Sequence, residues 1–244
     1  AEFAGLNLTF ETREGILKHC SPQSARELGD LGRRFLERRQ PTLEAQLANL
    51  ADEIAYNTAD LDDAYAAGMF AMEDAATHVP RYGELLESVA TQFPGAPERI
   101  RFNEVLRLLI DWLVSGLVEG TWRAAMEAGA ADVEDVRRHP RRLACLIPEA
   151  GATNAALKTF LRERVYSNRD LAAERARSAR MVAELFEWYM QDPLRVPAAF
   201  REPLPPAPPH RLVCDYIAGM TDGFFRRTYR NIAGRRNQPD GCSV

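Results

Sequence analysis

Apolar residues in this chain recur at helical spacing almost from end to end, and that period limits the fold more than any single motif. At about 100° per residue, Leu43, Leu47, Leu50, Ile54, Leu61 and Tyr65 fall within roughly 60° of one another and make one apolar stripe. Hardly any segment alternates with the period of two that marks a strand. The expected fold is therefore all-α, a multi-helix bundle. Helices are expected over 9–19, closed by Ser21-Pro22, and over 24–39. Gln40-Pro41-Thr42 then punctuates, with Thr42 placed to cap the helix that carries the stripe and Gly68 following it. Further helices are expected over 82–93, 98–128, 153–166, 168–191 and 211–232. No repeat of solenoid period is present.

With 244 residues, 46% of them apolar, the chain can bury a core as one large or two small domains. A net charge of −4 argues against a generally basic nucleic-acid binder. Cys20, Cys145, Cys214 and Cys242 stand far apart, with no C-x-x-C pair, which fits a reducing compartment and predicts a cytoplasmic protein. The longest apolar stretch, 105–118, is broken by Arg107 and Asp111 and is shorter than the roughly 20 residues that span a bilayer, so a buried helix and no membrane is expected. No basic segment leading into an apolar one marks a signal peptide. Trp112, Trp122, Trp188 and Tyr189 lie in apolar helical patterns and are expected to pack.

Residues 193–209 hold seven prolines, a density that favours extended polyproline geometry and is expected to exclude helix. This strap suggests a helical domain over 1–192, the strap itself over 193–209, and a terminal helix and tail over 210–244 that pack on the same domain.

Opposite the apolar stripe stand Asp52, Tyr56, Asp60 and Asp63. A solvated acidic face is the plain reading of such a pattern, yet a solvated face has little use for a phenol between two carboxylates. Asp52 can offer a hard oxygen ligand to a divalent cation from a rigid helix. One turn on, Tyr56 offers a flat apolar ring with a hydroxyl, and one turn further Asp60 can accept a charge-assisted hydrogen bond. Lys18-His19, at the end of the first helix, reads either as a favourable C-terminal charge or as an anion contact. The run Arg137, Arg138, His139, Pro140, Arg141, Arg142 is either a solvated helix edge or a site for an effector nucleotide or single-stranded nucleic acid.

Several stretches, in order, resemble the bacterial deoxyguanosine triphosphate triphosphohydrolases, members of the HD-domain metal-dependent phosphohydrolases. They are Gly5-Leu6-Asn7-Leu8-Thr9, Arg13-Glu14-Gly15-Ile16-Leu17-Lys18-His19, Glu44-Ala45-Gln46 with the run from Ala51 to Asp63, Leu157-Lys158-Thr159-Phe160-Leu161 with Val165-Tyr166, and the run from Val213 to Asp222. The resemblance implies an HD-type bundle in which water attacks the α-phosphorus of a deoxynucleoside triphosphate, yielding deoxynucleoside and tripolyphosphate. It implies that Asp52 is the last ligand of a divalent metal ion such as Mg or Mn. It further implies that Tyr56 packs on the sugar, Asp60 accepts the 3′-hydroxyl, Lys18 contacts the phosphates and His19 is a neighbouring polar contact. A homo-oligomer is implied as well.

The sequence also departs from that family. The family's His and His-Asp ligands and its catalytic His-rich stretch precede the point where this chain begins, and His19, His78, His139 and His210 are scattered, none followed by Asp. No catalytic residue is therefore expected in this chain, which alone is expected to be inactive. Gly223 stands where relatives usually carry Arg, and Asn168 replaces a frequent His. The alternative is a non-catalytic helical regulatory or oligomerisation module, or a degenerate relative without the metal site.

Overall fold

The computed structural model describes residues 5–17, 20–201 and 208–236, and among them every regular element is helical. The α-helices are α1 (Phe10–Ile16), α2 (Pro22–Glu27), α3 (Asp30–Leu36), α4 (Leu43–Ala66), α5 (Met72–His78), α6 (Pro80–Gln92), α7 (Glu98–Glu127), α8 (Val133–Arg138), α9 (Pro148–Leu161), α10 (Arg169–Gln191), α11 (Ala198–Arg201), α12 (Pro209–Ala218) and α13 (Asp222–Arg236). A π-helical turn, Arg162–Tyr166, continues α9, and a 3-10 turn, Pro193–Arg195, follows α10. The all-α expectation holds.

Two compact units divide between Tyr166 and Ser167. From the sequence, the first region ran on to 192 and the proline strap marked the boundary. The chain instead divides before α10, because Leu185 and Tyr189 of that helix are buried with Val196, Val213, Tyr216 and Ile232 in one apolar cluster.

Local chemistry explains where the helices depart from expectation. The helix expected over 24–39 is two, broken at Gly29, whose φ of 55° and ψ of −128° L side chains rarely adopt. The helix expected over 211–232 also divides. Thr221 starts α13 there, its carbonyl accepting from Phe225 N at 2.8 Å and its hydroxyl from Phe224 N at 3.4 Å. The strap is not free of helix, since Pro193 opens a 3-10 turn, Ala198–Arg201 is helical and Pro209 is the first residue of α12. Proline suits the first turn, where its missing N–H would have no intrahelical partner. Residues 202–207 lie outside the described residues. The short helices α5 and α8 carry too few turns for periodicity to reveal them.

In the first unit α4, α7 and α9 pack against one another. Leu50, Ile54 and Leu61 of α4, Phe102, Val105, Leu109 and Leu113 of α7, and Leu157, Phe160 and Leu161 of α9 are all buried. Tyr65 closes the α4 stripe by stacking on Phe102, ring centroids 3.8 Å apart. The approach of the segment before α9 to α7 requires glycine. A Cβ on Gly120 would lie 2.4 Å from the carbonyl oxygen of Cys145, and Ile147 N donates to Gly116 O at 3.0 Å.

The aromatic expectation needs one correction. Tyr189 is buried, Trp112 lies beneath the Arg81 guanidinium at 4.1 Å, and Trp188 meets Tyr189 edge-on at 4.8 Å. Trp122, however, is 67% exposed, on the outer face of α7 with Val118 and Met126. A period of 3.6 marks which residues share a face but not whether a neighbour covers it. No helix among the described residues is long and apolar enough to cross a membrane.

Candidate functional site

Asp52, Tyr56 and Asp60 project from α4 on the side away from Leu50, Ile54 and Leu61, as the helical arithmetic requires. Asp52 is exposed and Tyr56 is 62% exposed, whereas Asp60 is half-buried. The difference at Asp60 comes from Tyr166, whose hydroxyl donates to its Oδ2. The Tyr56 hydroxyl is also within hydrogen-bonding reach of Tyr166. Burial, then the hydrogen bond and charge of Asp60, push the Tyr166 phenol well above the ordinary tyrosine range.

A polar seam joins α4 to α9. Asn57 Nδ2 donates to Asn154 Oδ1 at 3.1 Å, and Asn154 Nδ2 donates to Glu53 Oε1 at 2.8 Å. Lys158 Nζ lies 3.1 Å from the same Glu53 oxygen. Burial by itself would raise the Glu53 carboxyl. The hydrogen bonds from Asn154 and Lys158, with the charges of Lys158 and Arg142, outweigh it and hold the group below the usual glutamate range. Both asparagines are buried, and the bond between them satisfies one donor and one acceptor that would be costly left alone.

The seam is therefore chemically graded along α4. Near Glu53 stand two cations, Lys158 and Arg142; about two turns on, near Asp60, stand the phenols of Tyr56 and Tyr166. Eight residues of helix separate Asp52 from Asp60, about 12 Å along the axis.

Of the other residues singled out from the sequence, Lys18 and His19 lie outside the described residues. Arg137 is committed to the interior: its guanidinium sits 3.1 Å from Glu14, whose fully buried carboxylate also meets Arg34 at 2.8 Å. Arg138 pairs with Glu134 at 3.5 Å, and Arg141 and Arg142 are exposed. Among the described residues no three His, Cys, Asp or Glu side chains converge, so these residues do not by themselves fit a metal ion.

Periodicity left Glu53, Asn57, Asn154, Lys158 and Tyr166 without a role. A signal for the asparagines was present: Asn57 follows Leu50 by seven residues and precedes Leu61 by four, so an amide stands in the apolar stripe. Asn154 stands likewise between Ala150 and Leu157. Two amides on two buried stripes fit when they face each other. A hollow of about 1290 Å³ among α10, α12 and α13 in the second unit contains none of these residues. The α4–α9 seam is the better candidate because charged, amide and phenol groups converge there.

Residues 144–231 match the family model described as the phosphohydrolase-associated domain. That stretch of an all-helical chain is thus similar to a domain associated with phosphohydrolases. Three curated relatives carry the name deoxyguanosinetriphosphate triphosphohydrolase-like protein. Those from Ralstonia nicotianae (42% identical over 230 residues) and Azoarcus sp. strain BH72 (40% over 235) align with 94% and 95% of this chain. That from Geobacter sulfurreducens is 36% identical over 94% of the chain. Over the residues it spans, the chain is similar to these deoxyguanosinetriphosphate triphosphohydrolase-like proteins. It covers 59%, 60% and 59% of the length of those three relatives.

Proposed function

We propose that this chain supplies the nucleotide-gripping face of a deoxynucleoside triphosphate triphosphohydrolase. The observation that carries the reading is the graded seam along α4: cations at the Glu53 end and phenols with a half-buried carboxylate at the Asp60 end. A nucleotide has that polarity, with an anionic triphosphate at one end and a neutral, hydroxyl-bearing sugar at the other. Lys158 and Arg142 attract the phosphates. Tyr56 stacks its ring on the deoxyribose, where a 2′-hydroxyl would be crowded, and Asp60 accepts the 3′-hydroxyl. Lys18 and His19 are proposed as further phosphate-side contacts. In the reaction, water adds to the α-phosphorus and the bond from phosphorus to O5′ breaks. The hydroxyl remains on the tripolyphosphate and a proton passes to O5′ of the deoxynucleoside. Asp52 is proposed as one ligand of a divalent ion, of the Mg or Mn type, whose remaining ligands lie outside the described residues.

One observation favours a second reading, a non-catalytic helical module: the described residues bring no metal-ligating cluster together. A single experiment separates the two. The product of the complete reading frame is incubated with deoxynucleoside triphosphates and Mg or Mn, and the products are resolved by anion exchange. Deoxynucleoside and tripolyphosphate in equal amounts support the hydrolase. Intact nucleotide, or release of monophosphate or pyrophosphate, overturns it.

A further inference from the structure

We propose that Tyr166 is a positioning residue, delivered by the π-helical turn at the end of α9 to hold the Asp60 carboxylate in the orientation that receives the sugar hydroxyl. The inference rests on the nucleotide reading of the seam and adds to it a residue on a different helix from the one bearing the recognition face.

The geometry begins in the backbone. The last turn, Arg162–Tyr166, hydrogen-bonds in the π pattern, and such turns, wider than an α-turn, are frequent at functional sites. More residues per turn make every side chain after Leu161 lag around the axis relative to a continued α-helix. Leu161 and Val165 remain buried on either side of the widened turn, so it is anchored rather than frayed. The residue that follows Val165 is thereby turned toward α4, and its hydroxyl donates to Asp60 Oδ2.

The chemistry follows from what each group can do. An ionised carboxylate only accepts hydrogen bonds, and it has two oxygens to offer. Tyr166 occupies Oδ2, which leaves Oδ1 as the oxygen for a further hydroxyl. An aspartate free to rotate would lose that freedom when a ligand bound; one pinned beforehand does not. Tyr56 places its own hydroxyl within reach of Tyr166, so the two phenols stand together at this end of the seam. The Tyr166 phenol, like any tyrosine, stays protonated at neutral pH and so can donate, which the arrangement requires.

The test has two arms. In the first, the product of the complete reading frame is assayed as wild type, Tyr166→Phe, Asp60→Asn and the double variant, with a 2′-deoxy and a 2′,3′-dideoxy triphosphate of one base. Tyr166→Phe is expected to raise KM for the deoxynucleotide about tenfold with kcat within about twofold, and to shrink the preference for a 3′-hydroxyl by a similar factor. In the Asp60→Asn background the same change is expected to do little more, because the two residues act as one unit. Additive effects, or an unchanged 3′-hydroxyl preference, overturn the proposal. A purely structural tyrosine would lower melting temperature and leave the sugar preference alone.

In the second arm, the 244-residue chain is titrated with alkali, following tyrosinate absorbance of wild type, Tyr166→Phe and Asp60→Asn. One late-ionising phenol is expected to vanish in the first variant and to ionise at lower pH in the second. If wild type shows no turnover, the nucleotide reading fails, and this titration still decides whether Tyr166 holds Asp60: a profile unmoved by Asp60→Asn shows that it does not.

Discussion

Glu53 shows how much of the seam depends on single contacts. Its carboxyl is held below the usual glutamate range by Asn154, Lys158 and the charge of Arg142. A carboxylate depressed in the folded state adds stability above its unfolded value, about pH 4.3, and loses it as pH falls through the folded value. Lys158→Met should therefore cost stability at neutral pH by an amount that shrinks as the solution is acidified below about pH 4. Urea midpoints of both proteins from pH 7 to pH 3 check this, and a constant difference would show that Lys158 acts by packing alone. Asn57→Ala leaves the buried Oδ1 of Asn154 without its donor and should cost about 1–3 kcal/mol. The variant Asn57→Leu, Asn154→Leu should recover part of that loss, which denaturant titration of the variants measures. At this scale legibility was uneven. Asp52, Tyr56 and Asp60 could be placed from the sequence because helical spacing alone fixes their common face. Tyr166 could not, because its approach depends on one widened turn in another helix.

The long helices α4, α7 and α10 are legible as elements because several turns of apolar spacing repeat in each. The breaks at Gly29 and before Thr221 are not, since a glycine or a capping threonine inside an otherwise periodic run is tolerated as often as it terminates. The tight seat of residues 145–147 against α7 was equally hidden, because glycine in a helix announces neither space nor contact. It has a measurable consequence. A Cβ on Gly120 meets backbone at 2.4 to 2.7 Å, which cannot swing aside as a side chain would. Gly120→Ala should destabilise by about 1–3 kcal/mol despite alanine's better helix propensity. That corresponds to a fall in melting temperature of a few degrees per kcal/mol for a protein of this size. A melting temperature at or above wild type would mean that the segment before α9 yields, and with it the frame that presents Asn154 and Lys158.

At the scale of the whole molecule, the class of fold followed from period alone, whereas the division before α10 did not, because the apolar cluster around Leu185 and Tyr189 joins residues far apart in sequence. With a single candidate ligand in Asp52, the 244-residue chain alone is expected to retain no Mn or Mg at stoichiometric level after gel filtration, as metal analysis of the eluted protein determines. The central claim, that the face of α4 reads a deoxyribose, is tested most directly by sugar selectivity. Deoxy, ribo and 2′,3′-dideoxy triphosphates of one base are compared on the complete reading frame, as wild type, Tyr56→Ala and Asp60→Asn. The account predicts that wild type prefers the deoxy form, that Tyr56→Ala relaxes discrimination against the ribo form, and that Asp60→Asn reduces discrimination against the dideoxy form about tenfold or more. Equal use of all three sugars by wild type, or variants that keep its selectivity unchanged, would contradict it.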